Sequence, residues 1–246
     1  MLDINTNEAR ELLFNAAGRL GVTLGGAQLE QFMMYMDMLL TWRERFNLTA
    51  ISDPREVVLK HFTDSLSVVP HIGGDTANAV DVGTGAGFPG IPLKLALPGL
   101  RVTLLDAVNK RVGFLNAVIE ALELEDIRAV HTRAEDAARV GGDHREFYDL
   151  AVSRAVASLP ALSEYALPFV RPGGSFVAMK GPSVQDELDS AGQAIQTLGG
   201  SYASTISVEI PYTDIIHSLV IISKFSHTPP RFPRKASQIA KRPIIR

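Results

Sequence analysis

The stretch of clearest chemical content is Asp81-Val82-Gly83-Thr84-Gly85-Ala86-Gly87-Phe88-Pro89-Gly90, where a short apolar run carrying a carboxylate passes into closely spaced glycines. Glycine lets the backbone turn sharply and approach a ligand where a Cβ would intrude. A helix starting near Pro89 would turn its first amides toward a polar ligand group. Gly85, Gly87 and Gly90 satisfy the GxGxxG spacing of a dinucleotide fingerprint, so a nicotinamide cofactor is one reading of the loop. Asp81 argues for another. Its charge would repel a pyrophosphate but could hold an ammonium group such as that of methionine, directly or through a water. The bland alternative is a carboxylate that caps nearby backbone amides. Asp106, at the end of the next apolar run, suits a ribose diol in either cofactor and does not discriminate.

A second set is cationic. Arg133, Arg154, Lys110, Arg111 and Lys180 fall near the ends of expected strands or in the loops after them. A single basic residue is as readily a solvated surface charge; Arg154 stands apart because Ser153-Arg154 lies where the fourth strand should open into a crevice. After Asp214 there is no acid, while Lys224, Arg231, Arg234, Lys235, Lys241, Arg242 and Arg246 follow. Such a tail is either a solvated end or an arm for a polyanion. The net charge of -3 argues against a protein that coats nucleic acid non-specifically. There is no cysteine, which excludes disulfides, thiolate catalysis and CxxC metal sites, and no metal is expected. Asn47 and His61–Asp64, in the helical part of the chain, could cover the site; lone His61 otherwise reads as structural or surface.

These groups need a scaffold, and 246 residues suffice for one large domain or a smaller one with an extension. The first part reads as helices: one around Leu12–Leu20, a longer one over Ala27–Phe46, and a third capped by Ser52 or Asp53 with Pro54 at its first position, running to Val69. Gly73-Gly74-Asp75 breaks the pattern. Strands are then expected near 79–82, 101–105, 127–131, 150–153 and 175–179, with helices around 91–96, 111–122, 159–170 and 184–198. That alternation predicts βαβ units and a doubly wound, mostly parallel α/β sheet. The segments 201–210 and 217–224 are joined too tightly for a parallel crossover and should form an antiparallel hairpin. The expected organisation is a helical extension (1–75), an α/β domain (76–226) and a basic, irregular tail (227–246). The first residues, MLDINTNEAR, lack the basic and apolar runs of a signal peptide, so the expected location is the cytoplasm, with no membrane contact.

Several separate segments carry a family resemblance: Phe46-Asn47-Leu48-Thr49, His61-Phe62-Thr63-Asp64-Ser65-Leu66, DVGTGAGFPGIPL from Asp81, LLDAVNKRVGFL from Leu104, Ser153-Arg154-Ala155, Pro233-Arg234-Lys235 and Lys241-Arg242-Pro243. In these the chain resembles the ribosomal small subunit methyltransferase G family, also called glucose-inhibited division protein B. The resemblance implies a class I (Rossmann-like) methyltransferase sheet and S-adenosyl-L-methionine as methyl donor. It implies N7 of a guanine in a decoding-region loop of 16S ribosomal RNA as acceptor. The partner is then 16S RNA or the 30S subunit, for a chain expected to be a monomer. By the same resemblance, cofactor contacts fall on Gly83, Phe88, Asp106, Ala107, Val108, Ala134, Glu135 and Arg154; the reading of the loop itself adds Asp81 and Gly85 as cofactor-binding residues. Arg154 and Arg133 become candidate catalytic residues; Lys110, Arg111, Lys180, Arg234, Lys235, Lys241 and Arg242 become candidate RNA contacts. The family usually has a glycine and a proline where this chain has Ala236 and Ala240. The alternatives are a methyltransferase for a small molecule or protein, and a non-catalytic RNA-binding or assembly protein with a vestigial cofactor site.

Overall fold

The structure, a computed structural model, describes residues 6–46, 48–154 and 157–245. Asn47, Ala155 and Arg246, named above, lie outside the described residues. The chain begins with α1 (Thr6–Arg19), α2 (Gly26–Phe46) and α3 (Pro54–Val57), continues through a π-helical turn at Val58–Thr63, and closes this part with α4 (Asp64–Leu66). Asp53 starts α3 as expected, its carboxylate accepting from the Arg55 and Glu56 amides at 2.7 and 3.2 Å. Beyond Val57 the single regular helix expected to reach Val69 does not form. The π turn widens the helix where it carries His61 and Phe62, and such bulges concentrate at functional sites.

The α/β part runs β1 (Asn78–Val82), α5 (Gly90–Ala96), β2 (Arg101–Asp106), α6 (Asn109–Ala121), β3 (Ile127–His131), α7 (Ala134–Ala137), β4 (Tyr148–Arg154) and α8 (Leu159–Ala166). It continues with β5 (Val170–Lys180), α9 (Gln185–Thr197), β6 (Gly200–Glu209), β7 (Ile216–Lys224) and α10 (Ala236–Lys241). The sheet order is β3-β2-β1-β4-β5-β7-β6. The first five of these strands pair in parallel, and β7 pairs antiparallel with both β5 and β6, the hairpin expected from its short connection. Strand order reverses between β1 and β4, so a crevice opens beyond their carboxyl ends, where open α/β sheets bind ligands.

Three expectations need correction. The helix expected over 159–170 stops at Ala166, where a short 3-10 turn containing Pro168 replaces it, since proline cannot continue the amide ladder. β5 starts at Val170 rather than Ser175, with its register against β4 shifted at Tyr148/Leu150. The end of the chain is not irregular throughout: it forms α10 and buries Phe232 and Ile239.

Alternation along the strands feeds two cores, one on each face. Ala79, Leu104, Val152 and Val177 join α1, α2, α5 and α6 on one side; Val80, Val82, Ala151 and Phe176 join α8, α9 and Phe232 on the other. The same alternation puts Asp81 on the face covered by the N-terminal helices. Those helices share the sheet's core through an aromatic cluster in which Phe62 lies 5.0, 5.4 and 6.1 Å from the rings of Phe32, Tyr35 and Phe88. Among the described residues no helix is long and apolar enough to cross a membrane. Because Phe62 is fully buried, Phe62→Ala should lower unfolding stability by about 3–5 kcal/mol. Urea transitions followed by Trp42 fluorescence, reporting on the helices, and by circular dichroism should coincide in both proteins. Separate midpoints in the parent protein would mean that the helices unfold on their own.

Candidate active site

The glycine loop is held from beneath by Asp81. One carboxylate oxygen, Oδ2, accepts from the Thr84 hydroxyl at 2.6 Å and from the Gly90 amide at 2.8 Å. The other, Oδ1, is buried without a partner. Burial pushes the carboxyl up to about 6, against the opposing pull of those hydrogen bonds and of Arg154. One oxygen thus caps the loop, as the bland reading has it, and the other is buried and makes no hydrogen bond. The loop needs its glycines for different reasons. Gly83, Gly85 and Gly87 have φ of 73°, 63° and 105°, in the left-handed region. A Cβ on Gly90 would stand 2.3 Å from Leu104 Cδ2 and 2.9 Å from Asp81 Oδ2; on Gly87 it would meet Ile91 and the Tyr35 hydroxyl. Tyr35 in turn donates to the Ala86 carbonyl at 2.5 Å.

Asp106 ties the loop to the turn after β2. Its oxygens accept from the Gly85 amide (2.9 Å), the Val108 amide (2.8 Å) and Arg111 Nη1 (3.3 Å). Two cavities meet at this acid. One, of about 490 Å³, is lined by His61, Gly83, Gly85, Phe88, Asp106, Ala107, Val108, Arg111 and Arg154 among others. The second, of about 360 Å³, shares Gly83, Asp106 and Ala107 and adds Arg133, Ala134 and Glu135. Together they can accept an elongated ligand with a polar end at the loop, a diol at Asp106 and a flat apolar group beyond it.

Arg154 is locked in place. Its Nη1 pairs with the buried Asp64 carboxylate at 2.8 Å and donates to the Lys60 carbonyl at 3.2 Å; Nη2 lies 3.2 Å from His61 Nδ1. Its guanidinium carbon is 4.9 Å from the Phe88 ring centroid, and His61 stacks on the same ring at 4.5 Å. Arginine only donates, so His61 Nδ1 accepts and its Nε2–H points to Thr49 Oγ1 at 2.8 Å. Burial, then the nearby Arg154 charge, pull the His61 pKa down to about 4, which keeps it neutral at physiological pH. Asp64 also accepts from His217 Nδ1 at 2.5 Å, and this hydrogen bond raises the His217 pKa.

The structure therefore gathers Gly83, Gly85, Phe88, Asp106, Ala107, Val108, Arg111 and Arg154 around one cavity and Arg133, Ala134 and Glu135 around its neighbour, with Asp81 beneath the loop. It does not gather the other cations. Lys110 is exposed, 5.9 Å from the Phe46 ring. Lys180 is taken up by the Ala157 carbonyl and Glu187, at 2.9 and 2.8 Å. Arg234 is bound to the fully buried Glu164. Lys235, Lys241 and Arg242 are exposed on and beside α10. Residues that the sequence reading missed are Tyr35, His217 and Glu164. Tyr35 was findable, since it follows Phe32 at helical spacing; the other two meet partners far away in sequence. Among the described residues no cluster of three or more metal-ligating side chains occurs.

A reversed parallel sheet closed by an antiparallel hairpin, with a glycine loop and an acid at the first two strand ends, defines the class I methyltransferase fold. A geranyl diphosphate methyltransferase solved in complex with SAM shares it, with a TM-score of 0.53, 14% identity, and coverage of 72% of this chain and 93% of that one. The chain belongs to the rRNA small subunit methyltransferase G (GidB) family, whose model matches residues 28–215. The ribosomal RNA small subunit methyltransferase G of Acetivibrio thermocellus is 46% identical over 99% of this chain and all of its own length. That of Alkaliphilus oremlandii is 46% identical over 96% and 99%.

The Asp81 environment makes a signed prediction. Folding raises its pKa, so the fold favours the protonated carboxyl, and this contribution is lost as pH rises from about 4 through about 6. The stability difference between the protein and its Asp81→Asn variant, measured by denaturation, should move toward the variant by roughly 1–3 kcal/mol over that interval. A difference independent of pH would show that the carboxyl is not desolvated.

Proposed function

We propose that this protein methylates N7 of a guanine in a decoding-region loop of 16S ribosomal RNA, with S-adenosylmethionine as the donor, acting as a monomer in the cytoplasm. When bound, the cofactor would supply a sulfonium-bound methyl carbon open to in-line attack by the N7 lone pair, with the sulfur taking the C–S electron pair as S-adenosylhomocysteine becomes the leaving group. N7 carries no proton, so the chain need supply no general base. The observation that carries this reading is that proton-accepting groups lining the loop cavity are already engaged: His61 is held neutral between Arg154 and Thr49, and Asp106 accepts from two amides and Arg111. What remains for the protein is orientation. Arg154, its position fixed by Asp64, is suited to grip O6 or a phosphate of the target nucleotide, and exposed Arg133 is a second such group at the cavity next door.

The donor set fits the cofactor. Asp81 Oδ1, a buried acceptor lacking a partner, would answer the ammonium group through water or the loop backbone, beside Gly83, Gly85 and Phe88. Asp106, with Ala107 and Val108, would hold the ribose diol, and Ala134-Glu135 would flank the adenine. Lys110, Arg111, Lys235, Lys241 and Arg242 would meet RNA phosphates. Lys180 and Arg234 leave that set because close ion pairs, at 2.8 and 2.5 Å, hold them largely buried, whereas Arg111, 3.3 Å from Asp106, keeps a side chain 41% exposed.

Mapping N7-methylguanine in 16S RNA from cells with and without the protein tests the assignment; an unchanged map sinks it. In purified reactions Arg154→Ala should lower kcat/KM by roughly 100-fold, since a misplaced acceptor loses about that much. Comparing naked 16S RNA with 30S particles as acceptor identifies the substrate form. A small-molecule enzyme would leave both unmethylated.

Replacing Lys235, Lys241 and Arg242 together by alanine should flatten the dependence of RNA affinity on salt, by roughly 0.7–0.9 in the log–log slope for each phosphate no longer neutralised. Filter binding at several salt concentrations measures this. An unchanged slope would leave these residues as a solvated surface.

A further inference from the structure

The basic C-terminal segment does more than present charge, because it is fastened to the domain along its length. Lys224, whose side chain is fully buried, donates to the Leu167 carbonyl at 2.9 Å and to the Thr228 hydroxyl. The Thr228 amide donates to Glu146 at 2.6 Å, and Arg145 binds the carbonyls of Thr228 and Phe232 at 2.6 and 2.8 Å. Arg234 then closes on Glu164 of α8, its backbone amide, Nε and Nη2 donating at 2.8, 2.9 and 2.5 Å to a carboxylate with no exposed surface. Removing one partner of such a buried pair strands the other charge, so the contact fixes the chain firmly.

The element fixed in this way is a wall. Glu164 immediately precedes Tyr165, and Arg234 lies two residues before Ala236; Tyr165, Ala236 and Ala240 all line the 360 Å³ cavity that Asp106 and Glu135 also line. Positions 236 and 240 are one helical turn apart and share a face of α10. Ile239 buries itself to seat the helix, while Lys241 and Arg242 stay exposed. The inner face thus offers two methyl groups beside a tyrosine ring. A flat, weakly polar base can stack there, where a larger side chain would take its place.

We infer that Ala236 and Ala240 are cofactor-binding residues that wall the adenine compartment, and that the Glu164–Arg234 ion pair holds this wall at its working distance. This rests on the S-adenosylmethionine reading above. On this inference the segment expected as a basic, irregular tail (227–246) builds part of the cofactor site.

The test uses the full-length protein and two probes, S-adenosylhomocysteine and 5′-methylthioadenosine, which keeps the adenosine end and lacks the amino acid. By calorimetric titration, Ala236→Leu and Ala240→Leu should each weaken both probes by the same factor, about tenfold or more, which corresponds to about 1.4 kcal/mol of binding free energy. Gln238→Leu, on the exposed side of α10, should bind both as the parent protein does. Should the leucines unseat the helix, a methyl-labelled alanine NMR spectrum of the unaltered protein gives a second reading. The Ala236 and Ala240 methyl signals, assigned by Ala→Ser variants, should shift on adding 5′-methylthioadenosine. If that probe binds and moves the Ala134 signal but neither tail alanine, the inference is overturned. If the parent protein binds neither probe, the cofactor reading itself fails first.

Discussion

A carboxylate buried under a glycine loop organises this molecule. Asp81 has no exposed surface, and taking an anion out of water is costly unless donors surround it. Here the donors are the Thr84 hydroxyl and the first amide of α5, so the charge can be satisfied only if the loop folds back over the strand end. The arrangement draws in the rest. Gly90 must lack a side chain to bring its amide that close, Tyr35 of α2 reaches across to the Ala86 carbonyl, and Phe88 is turned into the aromatic cluster that binds the N-terminal helices to the sheet. The pocket's shape and the packing of the helical extension are thus consequences of one desolvated charge.

A second buried acid organises the electrostatics above the loop. Asp64, 1% exposed, sits between Arg154 and His217, and Arg154 in turn fixes the tautomer of His61. The guanidinium is therefore ordered before any ligand arrives. Its rotamer freedom is lost on folding rather than on binding, which is what electrostatic preorganisation requires. The π-helical turn belongs to the same design, since it carries Lys60 and His61 toward Arg154 just before Asp64.

The order of strands and helices was legible because each follows its own hydrophobic period, and the hairpin was legible from the length of its connection. The crevice followed from the glycine loop and the two acids at consecutive strand ends. The end of the chain was not legible. Its helix spans six residues, too few to show a period, and its decisive contact joins Arg234 to Glu164 across seventy positions. Read locally, Glu164 is one polar residue in an apolar helix and Arg234 one cation in a basic run. The π turn was hidden for a related reason, since the apolar spacing of Val57, Val58, Phe62 and Leu66 suits an ordinary helix as well.

The glycines of the loop are not of one kind, and this bears on how such motifs persist through evolution. Gly85 has open space where a Cβ would stand, so only its φ of 63° favours glycine there, whereas Gly87 and Gly90 are hemmed in by Ile91, Tyr35, Leu104 and Asp81. Selection for folding alone would preserve the latter two, whatever became of the ligand. A descendant that had lost Arg154 and all catalytic use would still carry most of the GxGxxG pattern, as an inheritance of architecture. On the roles proposed above for Gly85, Arg154 and the alanines of the last helix, drift toward a non-enzymatic role would show first at those positions.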